Sequence, residues 1–224
     1  MPRGYMQTAA DKRHYWLRKL HSLTGVLPIG GYLFFHLFEN SGILVSGELF
    51  QRNAEFIESF GFLITPVEAL LIGSLIFHAV YGLFIVADAR QNVVRYPLPR
   101  NWFFLFQRVT GVMALLFIGY HVWDTRIEFY RGQFSGQHVA VTAQWMGQNI
   151  WGIGAANAIT GTAYIVGAIA SSMHLCNGIW SFLIKWGVTI GPTSQRVSSW
   201  VFNGLGVAMS VVFVMVALKF RTFA

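Results

Sequence analysis

Five long apolar runs, at residues 20–38, 65–87, 103–123, 155–184 and 197–218, constrain this chain more than any other feature of its sequence. A helix rises 1.5 Å per residue, so about 20 apolar residues carry it across the hydrocarbon core of a bilayer. Each run reaches that length or comes within a residue of it. Acidic residues are almost absent from them, Glu68 near one end being the exception, as expected where an unpaired charge is costly. The composition agrees: 54% of the 224 residues are hydrophobic and 11% are charged, whereas about a quarter are charged in soluble domains. The expected fold class is an all-α membrane protein, a single domain over 1–224 with five transmembrane helices.

The net charge of +7 reads as topology rather than as a nucleic-acid footprint, because the basic residues gather at the ends of the apolar runs. Arg3, Lys12, Arg13, Arg18, Lys19, Arg90, Arg95, Arg100, Arg108, Lys185 and Arg196 fall on one side. Arg52, Arg126, Arg131, Lys219 and Arg221 fall on the other, together with Glu39, Glu48, Glu55, Glu58, Asp124 and Glu128. The positive-inside rule then expects a cytoplasmic N-terminus and an outer C-terminus. The polar stretch before residue 20 lacks the pattern of a cleaved signal peptide, so the first run is expected to stay as a helix. The two longer connections face outward, and an interfacial helix is expected near 50–61.

Four of the seven histidines, His36, His78, His121 and His174, lie one in each of the first four runs. His36 and His121 each precede the first outer charge by three residues, about 4–5 Å inside that end. His78 and His174 lie 12 and 11 residues from the inner charges, roughly 17 Å away. Each level thus takes two imidazoles from helices running in the same direction, which are diagonal partners in a four-helix bundle. Zinc would ask for about four donors at one level, and neither level offers them. A haem brings four equatorial nitrogens and needs two axial ligands, so two bis-histidine b haems use all four residues. The alternative, four separate hydrogen-bonding histidines, leaves the matched depths a coincidence.

Glycine spacing fits the haem reading. Gly82 and Gly178 follow His78 and His174 by four residues, on the same helical face, where a missing side chain makes room for a flat macrocycle. A Thr-Gly-Val repeat, at Thr24 to Val26 and Thr110 to Val112, precedes His36 by 12 residues and His121 by 11, counted from the threonine, and is read as belonging to the outer pair. Glycine also serves close helix packing in membranes, which leaves its role open at this point. The single cysteine, Cys176, excludes a disulfide framework, a Cys-ligated iron–sulfur cluster and c-type haem attachment. It falls on a different helical face from His174 and reads as packing.

The stretch from Arg18 through Thr24-Gly25-Val26 and Gly30 to His36, with Phe77-His-Ala-Val-Tyr-Gly82, Gln107-Arg-Val-Thr-Gly111, Tyr120-His-Val-Trp-Asp-Thr-Arg126 and His174-Leu-Cys-Asn-Gly-Ile-Trp180, resembles the cytochrome b subunit of succinate:quinone oxidoreductases, in its five-helix, two-haem form. The segment Gly187 to Arg196 matches as well, so the likeness covers nearly the whole chain apart from the outer loops. The resemblance implies a membrane anchor for a flavoprotein subunit and an iron–sulfur subunit on the cytoplasmic face of a bacterial membrane. It implies electron transfer through an inner haem, on His78 and His174, and an outer haem, on His36 and His121, to a quinone, commonly menaquinone. It also places a carboxylate about 22 residues after the first-helix histidine, which is Glu58 here, in proton delivery to the quinone, with Glu55 the next candidate. Some fumarate-reducing members carry a glutamate two residues before the fourth-helix ligand. Ser172 stands there in this chain, so no such proton path is inferred.

Propionates of an inner haem call for cations or hydroxyls near the membrane face. Arg18, His21, Ser22 and Arg108 cluster there by sequence, the alternative being surface anchoring and topology. His14 and His138 read as surface residues, and Trp16, Trp102, Trp123, Trp151 and Trp200 as an aromatic belt. The sequence has no phosphate-binding loop of the GxxxxGK[ST] kind and no supported Ser-His-Asp set, so neither nucleotide nor dicarboxylate chemistry is expected on this chain. Two rival readings remain: a b cytochrome of a formate dehydrogenase or hydrogenase, and a haem-free structural anchor or transporter.

Overall fold

A computed structural model describes residues 9–127 and 155–220, which are helices and the short connections between them. His138, Trp151, Glu128 and Arg131 lie outside the described residues. Helix α1 (Ala9–Thr24), a π-helical turn (Gly25–Gly30) and α2 (Gly31–Val45) follow one another without a break. The first apolar run, expected as one regular helix, is therefore helical throughout but divided. Pro28 is the physical reason, because it has no N–H to donate and its ring clashes with the carbonyl four residues back. The chain absorbs this by widening one turn.

Helix α3 (Gly47–Glu58) forms where the sequence suggests an interfacial helix, three residues earlier. Ser46, in extended conformation, caps it by accepting from the Leu49 N–H at 3.1 Å. Gly61, at φ +53°, turns the chain into α4 (Ile64–Ala87). Helix α5 (Pro99–Val122) starts on a proline, whose missing N–H costs nothing at that position, and ends in a second π turn (Trp123–Ile127). Helices α6 (Ala155–Lys185) and α7 (Pro192–Phe220) are joined by a tight connection in which Gly187 and Gly191 take positive φ.

Among the described residues four helical stretches are long and apolar enough to cross a membrane: Gly61–Ala87, Pro99–Ile127, Ile159–Lys185 and Pro192–Phe220. They correspond to the second to fifth apolar runs. Helix α6 is the central element, packed along α5 on one side and α7 on the other. Close approach comes from small residues, as membrane helices require in the absence of a hydrophobic drive between them. A methyl group on Gly167 would strike the Phe117 ring, and one on Gly206 would meet Met173 and Cys176. Cys176 is fully buried, with its Sγ 3.6 Å from the Met209 sulfur, consistent with packing. Ser172 is also fully buried and donates to its own helix at Ala168. Helix α3 is pinned to the end of α7 by Phe50 against Phe220. On α4, by contrast, Val67, Leu70, Ile76 and Phe84 all point outward, an apolar surface suited to lipid.

Candidate functional site

The bundle brings the four histidines of the apolar runs together as two pairs. The ring centroids of His78, on α4, and His174, on α6, are 6.2 Å apart with planes at 84°. Those of His36, on α2, and His121, on α5, are 5.9 Å apart with planes at 67°. The pairs are the ones that depth along the helices suggests. Among the described residues no group of three or more His, Cys, Asp or Glu side chains converges as a metal site.

At the inner level two matching cradles hold the imidazoles. The His78 Nδ1–H donates to the main-chain carbonyl of His21, and the His174 Nδ1–H to that of Gln107, each at 2.9 Å. A carbonyl has no proton to give, so Nδ1 carries the hydrogen in both rings and Nε2 keeps its lone pair. Both accepting carbonyls lie four residues before a glycine. A Cβ on Gly25 would sit 2.3 Å from His78 Cε1, and one on Gly111 would sit 2.7 Å from His174 Cε1. The intervening threonines back the same carbonyls: Thr24 Oγ1 lies 3.0 Å from the His21 oxygen and Thr110 Oγ1 lies 3.3 Å from that of Gln107. The Thr-Gly-Val repeat thus serves the inner histidines, on neighbouring helices, rather than the outer pair on its own helices. Spacing along one chain could not disclose this, because the contact is between helices.

The remaining corner of each cradle is filled by the residue four before the glycine. His21 stacks on His78 with centroids 4.0 Å apart, its Nδ1 buried and without a hydrogen-bond partner. Gln107 donates from Nε2 to the His174 carbonyl at 3.0 Å, and its Oε1 accepts from Asn177 Nδ2 at 2.6 Å. Gly82 and Gly178 make room for these side chains: a Cβ on either would come within 3.2 Å of His21 Cε1 or Gln107 Nε2. Both glycines also line a cavity of about 460 Å³ that both inner histidines line. Ser22 and Arg108 line it too, joined by two cations that the sequence marks only as topology charges, Arg100 and Lys185. Ser22 is engaged as well, accepting from Trp186 Nε1 at 3.1 Å. Arg18 instead turns toward Asp88 at 3.5 Å on the exposed surface.

The outer level is built of aromatic walls. Tyr32 stacks near His36, while Phe117 and Tyr164 flank His121, whose Nδ1 is buried without a hydrogen bond. Asn40 donates to the His36 carbonyl at 2.8 Å and lies 3.1 Å from its Nδ1. The carboxylate set against this pair is Glu39, with Oε2 3.9 Å from His36 Nδ1. Glu58 ends α3 on the exposed surface, and Glu55 accepts from Gln51. Glu68 pairs with Arg126, joining the start of α4 to the turn after α5.

The inner residues fit a bis-histidine haem. At each level the two imidazoles would hold such a group between them, and the inner pair adds fixed tautomers and a cavity of the size that cofactors occupy.

No family model matches the chain. It is 37% identical over 207 residues to the succinate dehydrogenase cytochrome b558 subunit of Bacillus subtilis (strain 168), an alignment covering 91% of this chain and 95% of that protein. Identity of this extent, along nearly the full length of both proteins, joins the helical bundle and its paired imidazoles to a single group: the chain belongs to the family of succinate dehydrogenase cytochrome b membrane subunits.

Proposed function

We propose that the protein is the membrane-anchor and electron-transfer subunit of a succinate:menaquinone oxidoreductase, binding two b haems between its first four helical spans. The observation that carries this reading is the inner pair, two imidazoles lining one cavity with Nδ1 of each committed to a main-chain carbonyl, so that Nε2 keeps the lone pair an iron would take. The relative's name supports the coarser part, a cytochrome b within succinate dehydrogenase. When bound, the haems supply one-electron redox chemistry between partner subunits on the cytoplasmic side, a flavoprotein and an iron–sulfur protein, and a quinone near the outer pair.

In this reading His78 and His174 hold the inner haem, His36 and His121 hold the outer one, and Gly25 and Gly111 leave space for the inner ligand rings. Arg108, with Arg100 and Lys185, supplies positive charge at the end of the inner cavity, and Ser22 a hydroxyl, where propionates need partners. His21 supports the ring of His78 from behind. Glu58 relays protons between solvent and the quinone, with Glu39 the nearer carboxylate to the outer histidines. The chain lies in a bacterial cytoplasmic membrane with its N-terminus inside, its first helical stretch being the fifth span.

Purified protein tests this directly. Dithionite should give a b-type α band near ~560 nm, with two haems per chain, and a flavoprotein and an iron–sulfur protein should co-purify. Replacing His78 or His174 by Ala should halve the haem content and abolish quinone reduction, while succinate oxidation by soluble acceptors survives. Absence of the α band would overturn the proposal, as would normal quinone reduction in the alanine variants.

A further inference from the structure

The two inner cradles share a backbone design but differ in one corner, and that difference points to a residue with a task of its own. Both residues offer a main-chain carbonyl to the imidazole N–H, but the His21 side chain touches its histidine through ring stacking alone. Gln107 grips the segment carrying His174 from two sides: its carbonyl takes the imidazole N–H at 2.9 Å, and its side-chain amide donates to the His174 carbonyl at 3.0 Å. The amide is itself held, because Asn177 Nδ2 donates to Gln107 Oε1 at 2.6 Å and reaches the Phe103 carbonyl at 3.2 Å. Asn177 is 2% exposed. A primary amide buried in an apolar helix interface is costly unless hydrogen-bonded, and here it is the Asn177 Nδ2 that is satisfied, while its Oδ1 is buried without a partner. Here the bonds run from α6 to α5 at the level of the ring. The same Nε2 lies 3.5 Å from the His174 Nε2, so the amide also stands beside the second ring nitrogen.

We propose that Gln107, anchored by Asn177, is a positioning residue that sets the rotation of the His174 imidazole and thereby the redox potential of the inner haem. The inference rests on the haem reading above. The mechanism is mechanical and electrostatic. The Asn177–Gln107 pair fixes the register of α6 against α5, which fixes where the ring N–H finds its carbonyl and so holds the 84° between the two ligand planes. The amide N–H dipole, directed toward the ligand, favours the reduced and more negative form of the site.

The test uses the whole complex in its membrane, with Gln107→Leu and Asn177→Ala. Three quantities are read: haem per chain, the midpoint potential of each haem, and the lowest-field electron paramagnetic resonance signal of each, which reports the angle between ligand planes. The expected result is two haems, with the inner potential lowered and the inner signal moved in both variants while the outer haem is unchanged. The double variant should shift no further than Gln107→Leu alone, since the two side chains act as one unit. Should Gln107→Leu fail to assemble, Asn177→Ala decides by the same readouts, because its side-chain amide bonds Gln107 and Phe103 rather than His174. Two haems with both inner quantities unmoved would overturn the inference and leave the haem reading standing. Equal shifts at both haems would overturn it too, by showing a general loosening of the bundle. A wild-type complex without two bis-histidine signals would instead remove the reading beneath it.

Discussion

A methyl group added at Gly25 would lie 2.3 Å from Cε1 of His78, closer than real carbon atoms approach, and neither the ring nor the helix backbone at that point can yield cheaply. Gly25→Ala and Gly111→Ala should each cost about 1–3 kcal/mol of overpacking and reduce haem from two per chain to one, measured as pyridine haemochromogen against protein. Gly31→Ala, which adds its methyl to open space, should keep both. In the proposed function, two carboxylates on the outer side compete for the proton task. Glu58→Gln should slow quinone turnover several-fold with haem content intact; slowing in Glu39→Gln alone would transfer the proton task to α2. The four ring-bearing histidines and their pairing were legible in the sequence, because polar residues in apolar runs are conspicuous and depth along a helix can be counted. Gln107, Asn177 and the true neighbours of Gly25 and Gly111 were not. Their importance is a contact between helices, and a single-chain spacing places a residue on a helix without saying which helix stands opposite. The one signal available was that the Thr-Gly-Val repeat is preceded each time, four residues before its glycine, by a side chain able to hydrogen-bond.

The elements most exposed to misreading are those that depart from regular helix. Pro28 marks the π turn between α1 and α2, and a π turn adds one residue to the helical circuit, rotating everything beyond it by about 100°. The cradle residues His21 and Gly25 lie before or at the start of this turn, and His36 lies after it. Relieving it with Pro28→Ala should therefore leave the inner haem in place while swinging His36 away from His121. The measurement is a difference spectrum and redox titration in which the outer component alone is lost or shifted; an unchanged outer component would mean that the glycines at 25, 30 and 31, rather than the proline, hold the turn. Helix α3 shows the opposite case. Its amphipathic pattern was legible, yet its start is set by one capping hydroxyl, Ser46, and such boundaries are only loosely encoded in hydrophobic periodicity.

At the scale of the molecule, the distribution of charge predicts a direction across the membrane. Cysteines introduced at Lys12 and at Ala224 should report it: in right-side-out vesicles an impermeant maleimide should label Ala224→Cys and spare Lys12→Cys. The native Cys176 will not interfere, being wholly enclosed between α6 and α7. The reverse pattern would invert the proposed orientation. A last consequence follows from where the inner imidazoles find their acceptors. The oxygens that orient His78 and His174 belong to the peptide chain itself, not to any side group, so they survive every ordinary substitution of His21 or Gln107. A conventional alanine scan would report on the side chains around these oxygens and leave the oxygens themselves untouched. Only chemistry that edits the main chain, such as exchanging the relevant amide for an ester, would make them audible.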